Sequence, residues 1–268
     1  MAFKNNYVSF QGKFYLALRD SNGDPGALWY LGNVPKGELG LSTVRRDHRE
    51  STSGAREVDA SRIKERNGEI TFTLEDIQKD NVALGLMGKK VTTASGSYAS
   101  STYDTFPSGL VAGSIVKLRK PNASTIVVKD SAVTPATLAL DTDYSVLSAK
   151  HGLIQILSLG SYTQPFRAQY AYAATEVVTG FEADDSNEYF AYCALTNTEP
   201  APDQLVGVEI FRISFDPATL INLIHEDQGS FDVKGKIMRD AVRALDSELG
   251  AFMRHIYVDA NLASTGPF

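Results

Sequence analysis

Cysteine is nearly missing: Cys193 is the single one in 268 residues. One thiol closes no internal disulfide and supplies no multi-thiolate zinc site, so burial must hold this fold, and a reducing compartment suits it. Long apolar runs are missing too. Nothing approaches the ~20 residues that a bilayer span needs, and the opening MAFKNNYVSFQGKF has no apolar signal core, so neither secretion by that route nor contact with a membrane is expected. Gly and Pro, at 21 and 10, are too few for a low-complexity chain. A basic excess is also absent: 26 Lys and Arg face 32 Asp and Glu, a net charge of −6. That balance repels polyanions at long range and argues against a dedicated nucleic-acid binder.

The catalytic motifs are missing as well. There is no Gly-x-Gly-x-x-Gly, Walker loop, His-Glu-x-x-His or Gly-x-Ser-x-Gly, which removes the usual anchors of nucleotide, metalloprotease and hydrolase chemistry. Asp20, Asn22 and Asp24 imitate the start of a calcium loop, but Pro25 stands where that loop needs Gly and Leu31 where it needs a bidentate Glu. His48, His151, His225 and His255 are scattered, none with a second His at helical ligand spacing. His225-Glu226-Asp227 reads as a turn or helix end, and Cys193, inside an apolar run, as a small buried hydrophobe. Asn122-Ala123-Ser124 is a chance sequon without a secretory route. Glu182, Asp184, Asp185 and Glu188 surround Ser186 and Asn187, as a solvated loop would. We therefore expect no catalytic residue, no metal site and no cofactor.

What the sequence does have is alternation. Phe14, Leu16 and Leu18 share one face of a strand, and the turn formers of 20–26 follow. Ile70, Phe72 and Leu74 alternate with Glu69, Thr71 and Thr73, giving one core face and one wet face. Strands are also expected over 114–118, 125–128, 153–157, 166–172, 189–195, 206–215 and 229–237, whereas 91–108, rich in Ser, Thr and Gly, reads as an exposed loop. Leu74, Ile77, Leu84 and Met87 fall on one helical stripe, with Thr73 as cap and Gly88 as stop, which predicts a helix over about 74–87. Residues 238–250 fit helix or strand, and 260–268 a loose arm.

Between Arg45 and Arg66 the composition changes. Seven basic side chains, Arg45, Arg46, Arg49, Arg56, Arg62, Lys64 and Arg66, interleave with five acidic ones, Asp47, Glu50, Glu57, Asp59 and Glu65, around a small-residue tip at 51–55. Mixed-sign strands with no apolar face cannot bury themselves in their own domain. Such a hairpin either waves in solvent or pairs with charges on a neighbour.

This order of parts, with Arg62-Ile63-Lys64 leading into Gly68-Glu69-Ile70-Thr71-Phe72-Thr73 and then the helix, resembles the tail tube proteins of long-tailed bacteriophages. Asp141-Thr142-Asp143-Tyr144-Ser145-Val146 with Gly152-Leu153-Ile154-Gln155-Ile156, and Phe231-Asp232-Val233-Lys234-Gly235-Lys236-Ile237-Met238-Arg239-Asp240, are similar to β-segments of phage tail proteins. The resemblance implies a mainly β fold: an antiparallel β-sandwich or half-barrel with one flanking α-helix, a long charged hairpin arm and an inserted β-rich region. Residues 1–90 would hold the first part of the core, with the arm at about 40–66; 91–165 would be the insertion, on the outside of the tube or merged with the core; 166–268 would hold the rest of the core and a C-terminal arm. It further implies a structural virion protein without enzymatic activity. Six copies would form a ring, and rings would stack into a tube that conducts DNA without binding it specifically. Its partners would be further copies of itself, the tape-measure protein, and the tail terminator and baseplate proteins. It would be assembled in the bacterial host cytoplasm and reside in the virion tail.

In that family the arm reaches the adjacent ring, and the residues matching it are Arg45, Arg46, Asp47, Arg49, Glu50, Arg56 and Glu57. Glu69, Thr71 and Thr73 either face the channel or face outer solvent; an acidic or neutral lining would not retain DNA. Two other functions fit a mainly β chain: a different virion protein (terminator, baseplate or capsid decoration), or a carbohydrate-binding β-sandwich. The 12 Tyr and 13 Phe suggest the last, but Trp29 is the only tryptophan and most aromatics fall on core-like alternations.

Overall fold

The computed structural model describes residues 8–52, 54–99, 101–184, 186–199 and 205–258. In chain order the strands are β1 (Phe10–Leu18), β2 (Trp29–Tyr30), β3 (Lys36–Arg49) and β4 (Val58–Leu74), followed by α1 (Lys79–Gly85). Next come β5 (Lys89–Thr93), β6 (Gly96–Tyr98), β7 (Asp104–Thr105), β8 (Ile115–Lys117), β9 (Ala123–Lys129), β10 (Tyr144–Ser148), β11 (Leu153–Ile156), β12 (Arg167–Tyr172) and β13 (Thr175–Thr179). The chain closes with β14 (Tyr189–Asn197), β15 (Leu205–Phe215), β16 (Phe231–Ile237), a 3₁₀ turn at Arg243–Leu245 and β17 (Met253–Val258). The protein is mainly β with antiparallel pairing and, among the described residues, one α-helix.

The chain divides into two compact units, residues 1–89 with 178–268, and residues 90–177. The first holds a sheet in the order β2-β1-β14-β15-β16-β4-β3. One edge of β15 serves two partners, β17 along Leu205–Ile210 and β16 along Ile213–Phe215. Three strands separate β1 from β4 in that order, yet the rings of Phe14 and Phe72 meet at 5.3 Å. The sheet therefore curls around its own core, the half-barrel expected. Period-two alternation drives the curl. On β16, Phe231, Val233, Gly235 and Ile237 turn inward while Asp232, Lys234 and Lys236 face water. Gly235 is a close-approach position, since a Cβ there would lie 2.5 Å from Ile213 Cγ2.

The second unit has its own core, including Leu118, Val128, Ile154, Ile156, Phe166 and Ala168. Strand β12 pairs directly with β6, β7 and β9, while β10, β11 and β8 form a second small sheet. Buried carboxylates pin its loops. Asp104 accepts the Arg119 amide and the Tyr170 hydroxyl, Asp130 the amides of Ala132, Ala136 and Thr163, and Asp143 the Ala139 amide and the Tyr162 hydroxyl.

Four expectations change. The unit inserted into the core ends at Val177, not 165, because Phe166, Ala168 and Tyr170 fill the second core rather than the first. The helix spans Lys79–Gly85, two turns, rather than 74–87. Leu74 is the last rung of β4, paired with Phe231, and the Thr73 hydroxyl is spent on Asp232 at 2.6 Å instead of capping. The left-handed residue after the helix is Met87 (φ 45°); Gly88 serves close approach, since a Cβ there would stand 2.3 Å from the Thr179 carbonyl oxygen. Residues 91–108 are not all loop, because β5, β6 and β7 fall there, β5 paired with β13 and β6 and β7 with β12. Residues 238–250 form a turn with one 3₁₀ step, because Asp240 Oδ1 accepts the amides of Val242 and Arg243 and folds the chain back. The proposed C-terminal arm at 260–268 lies outside the described residues, as do Ser53 at the hairpin tip and Asp185 of the acidic loop.

Candidate functional site

The hairpin of β3 and β4 is the first surface to account for. Its base is ordinary sheet: Gly37, Leu39 and Leu41 pair with Phe72, Ile70 and Gly68, and β4 pairs with β16 over the same stretch. Beyond Gly68 every residue of both strands is exposed, through Arg49 on β3 and Val58 on β4. Two register shifts, after Val44 and after His48, leave extra residues on β4 and add twist. Local polar contacts hold the end. The Glu50 amide donates to the Glu57 carbonyl (2.9 Å), Glu50 Oε2 accepts from the amide and hydroxyl of Thr52, and Arg49 Nη1 donates to the Arg56 carbonyl (3.2 Å). His48 Nδ1 lies 2.6 Å from Asp59 Oδ1, and this hydrogen bond holds the Asp59 carboxyl below its ordinary range.

All seven predicted arm residues are therefore brought together: Arg45, Arg46, Asp47 and Arg49 on β3, and Glu50, Arg56 and Glu57 around the end. Arg46 is registered directly against Arg62. Exposed apolar residues Leu41, Val44, Val58 and Ile63 accompany the charges, which the sequence reading of a strand pair without an apolar component missed.

Glu69, Thr71 and Thr73 lie on the outer face of β4, opposite the buried Ile70 and Phe72. Their cross-strand neighbours are Lys236, Lys234 and Asp232 on β16, and Gly40, Glu38 and Lys36 on β3. Three lysines thus balance three carboxylates. They also pair among themselves, Lys36 with Glu38 at 3.0 Å and Lys234 with Glu69 at 3.5 Å. This face carries no positive excess to hold phosphates.

A second feature went unread in the sequence, the segment 216–230 between β15 and β16. Its first residues are tied down: the Asp216 amide donates to the Lys234 carbonyl and the Ala218 amide to the Gly85 carbonyl, both at 2.8 Å. Ala218 and Ile221 pack on the core, but Leu223 and Ile224 are 92% and 91% exposed, and Leu220 is exposed beside them. The run Leu220-Ile221-Asn222-Leu223-Ile224 was its signal, and such a run reads as core in a sequence.

Elsewhere the polar groups are structural. Arg19 bridges Glu188 (3.0 Å) and Asp240 (2.5 Å), and Arg212 and Arg243 extend the same cluster. The calcium-like loop is closed by its own amides, since Asp20 Oδ1 accepts from Asn22 and Asp24. An apolar cleft of about 1390 Å³, lined by Phe10, Phe14, Leu39, Ile70, Val206 and Tyr257 among others, opens beside β17, with Lys36, Glu38 and His255 also along its walls. Among the described residues, no group of three or more His, Cys, Asp or Glu could hold a metal ion, and no helix is long and apolar enough to cross a membrane.

A family model described as "Protein of unknown function UCP028589" matches residues 7–256 of the chain, which belongs to that family. No curated protein matches it.

Proposed function

We propose that this member of the family is a structural subunit of a bacteriophage tail tube, without catalytic activity. One observation carries the reading: a hairpin whose outer part is exposed on both strands and charged with both signs, rooted in the half-barrel. An isolated protein gains nothing by ordering such an arm, because exposed ion pairs contribute only about 0–1 kcal/mol each. Repetition changes that balance. When many copies dock together, each arm's weak contacts become effectively intramolecular and add. A head-to-tail contact that does not close builds a filament.

In this reading Arg45, Arg46, Asp47, Arg49, Glu50, Arg56 and Glu57 make contacts between rings. The balanced face around Glu69, Thr71 and Thr73 lines the channel, where DNA passes without being held. Six subunits per ring follow from the resemblance, as do the tape-measure, terminator and baseplate partners, assembly in the host cytoplasm and residence in the virion tail. Residues 90–177 would form an appended domain on the tube's outer surface.

Negative-stain electron microscopy of the full chain, concentrated and diluted, tests this. Long hollow tubes that disappear when Arg45, Arg46 and Arg49 are changed to Ala support the reading. Monomers or single closed rings at every concentration, in both proteins, overturn it in favour of a terminator or decoration protein.

A further inference from the structure

We propose that the segment 216–230 of one copy is the seat for the hairpin arm of the next. The inference rests on the reading that copies stack, and it names the surface that receives the arm.

The first argument is topological. In the antiparallel ladder of β16 and β4, Phe231 pairs with Leu74 and Ile237 pairs with Gly68. The segment 216–230 enters β16 at its Phe231 end. The arm leaves β4 at the opposite end, beyond Gly68, and runs away from it. The paired stretch spans about 20 Å, and ten further residues carry the arm about 33 Å past it, at about 3.3 Å per residue. An arm so directed cannot reach its own 216–230 segment. A second copy displaced along the strand direction offers its segment to the first copy's arm, and repetition of that contact gives an open, heterologous assembly.

The second argument is chemical. Residues 45–66 hold seven basic and five acidic side chains, which leaves 19 basic and 27 acidic for the rest of the chain. The arm is thus positive on an otherwise strongly negative protein. Segment 216–230 is among the negative parts, with Asp216, Glu226 and Asp227 and neither Lys nor Arg. Both surfaces are also apolar: Leu41, Val44, Val58 and Ile63 are exposed on the arm, and Leu220, Leu223 and Ile224 on the segment. Scattered exposed apolar residues are ordinary, but three large ones within five positions mark a contact surface. Docking would bury both sets and set Arg46 and Arg62 against Glu226 and Asp227.

Charge reversal tests the assignment in the full chain. Arg46→Glu with Arg62→Glu, and separately Glu226→Arg with Asp227→Arg, should each raise the protein concentration needed for tubes at least tenfold, and the fourfold variant should recover most of the loss. These side chains are exposed, and circular dichroism checks that each variant folds. A proximity measurement stands beside this. Arg62→Cys and Asp227→Cys proteins, mixed and treated with a short bis-maleimide, should give cross-linked dimers under tube-forming conditions. Cys193 stays silent because burial pushes its thiol up to about 12. If the Glu226/Asp227 reversal elongates like wild type while the arm reversal does not, or if assembled tubes give no cross-link, the seat is elsewhere although stacking stands. If wild-type protein forms no tubes at all, the stacking reading fails and this inference falls with it.

Discussion

Arg46 and Arg62 stand directly opposite one another across the exposed hairpin. Cross-strand neighbours of opposite charge stabilise a sheet, and like charges in that relation destabilise it. The pair therefore works against the isolated arm, and its placement makes sense for a surface completed by a carboxylate from elsewhere.

Replacing one member should separate the two roles. Arg62→Thr removes the repulsion and adds a good strand former, so the monomer's stability should hold or rise by about 0.2–1 kcal/mol. Self-association should weaken in the same protein. Urea unfolding at low concentration and sedimentation velocity at high concentration measure the two effects. A loss of monomer stability would mean that Arg62 has a stabilising partner within its own chain.

The Arg19–Asp240 pair predicts the opposite behaviour. Both side chains are almost enclosed, at 5% and 3% exposure, so without Arg19 the Asp240 carboxylate keeps only Arg243 Nε at 3.6 Å and the amides of Val242 and Arg243. Arg19→Met should cost about 3 kcal/mol, the low end of the penalty for breaking a buried pair, because Arg243 still faces Asp240, and replacing both residues with apolar ones should cost no less, because it also removes the acceptor of the Val242 and Arg243 amides. Urea midpoints of the three proteins decide this.

Two separate cores predict two separate sensitivities. Phe72→Ala and Phe166→Ala each delete a fully buried ring, one in each unit, at about 3–5 kcal/mol. Hydrogen exchange should show protection lost among the partners of Phe72 on β16 in the first variant and along β9 and β12 in the second. Loss spread evenly over both cores in each variant would contradict the division.

Asp130 gives a pH prediction. Burial pushes its carboxyl up, but the amides of Ala136, Thr163 and Ala132 outweigh that and hold it below its ordinary 3.8. A carboxyl depressed by folding contributes stability that is present above the unfolded value and lost as pH falls through the folded one. Asp130→Asn should therefore melt below wild type at pH 7, with the gap closing below pH 3.8. A gap unchanged between pH 7 and pH 2.5 would show that the carboxylate charge contributes nothing there.

Much of this was legible in the sequence wherever a period of two ran between a core and water. β16 and the base of β4 alternate without interruption, and the mixed charges of 45–66 announced a hairpin with no core of its own. The helix boundary was less legible because Thr73 has two possible hydrogen-bond uses, and only the ladder with β16 decides between a cap and Asp232. The strand β17 escaped because Arg254 and His255 break its apolar alternation, and its place is set by pairing with β15. The segment 216–230 went unread for a plainer reason. A run of Leu and Ile does not reveal whether its partner belongs to the same molecule.

The passage into and out of the inserted unit has a consequence for how such a chain can change. Strands β5 and β13 pair as a two-stranded ribbon, and where the chain departs and returns the Thr179 hydroxyl donates to the Lys89 carbonyl at 3.2 Å. Two ends held that close need only a short turn to join them. Evolution or an engineer can therefore delete the 88 residues from Lys90 to Val177, or exchange them for another domain whose termini are adjacent, without redrawing a single rung of the half-barrel's ladder.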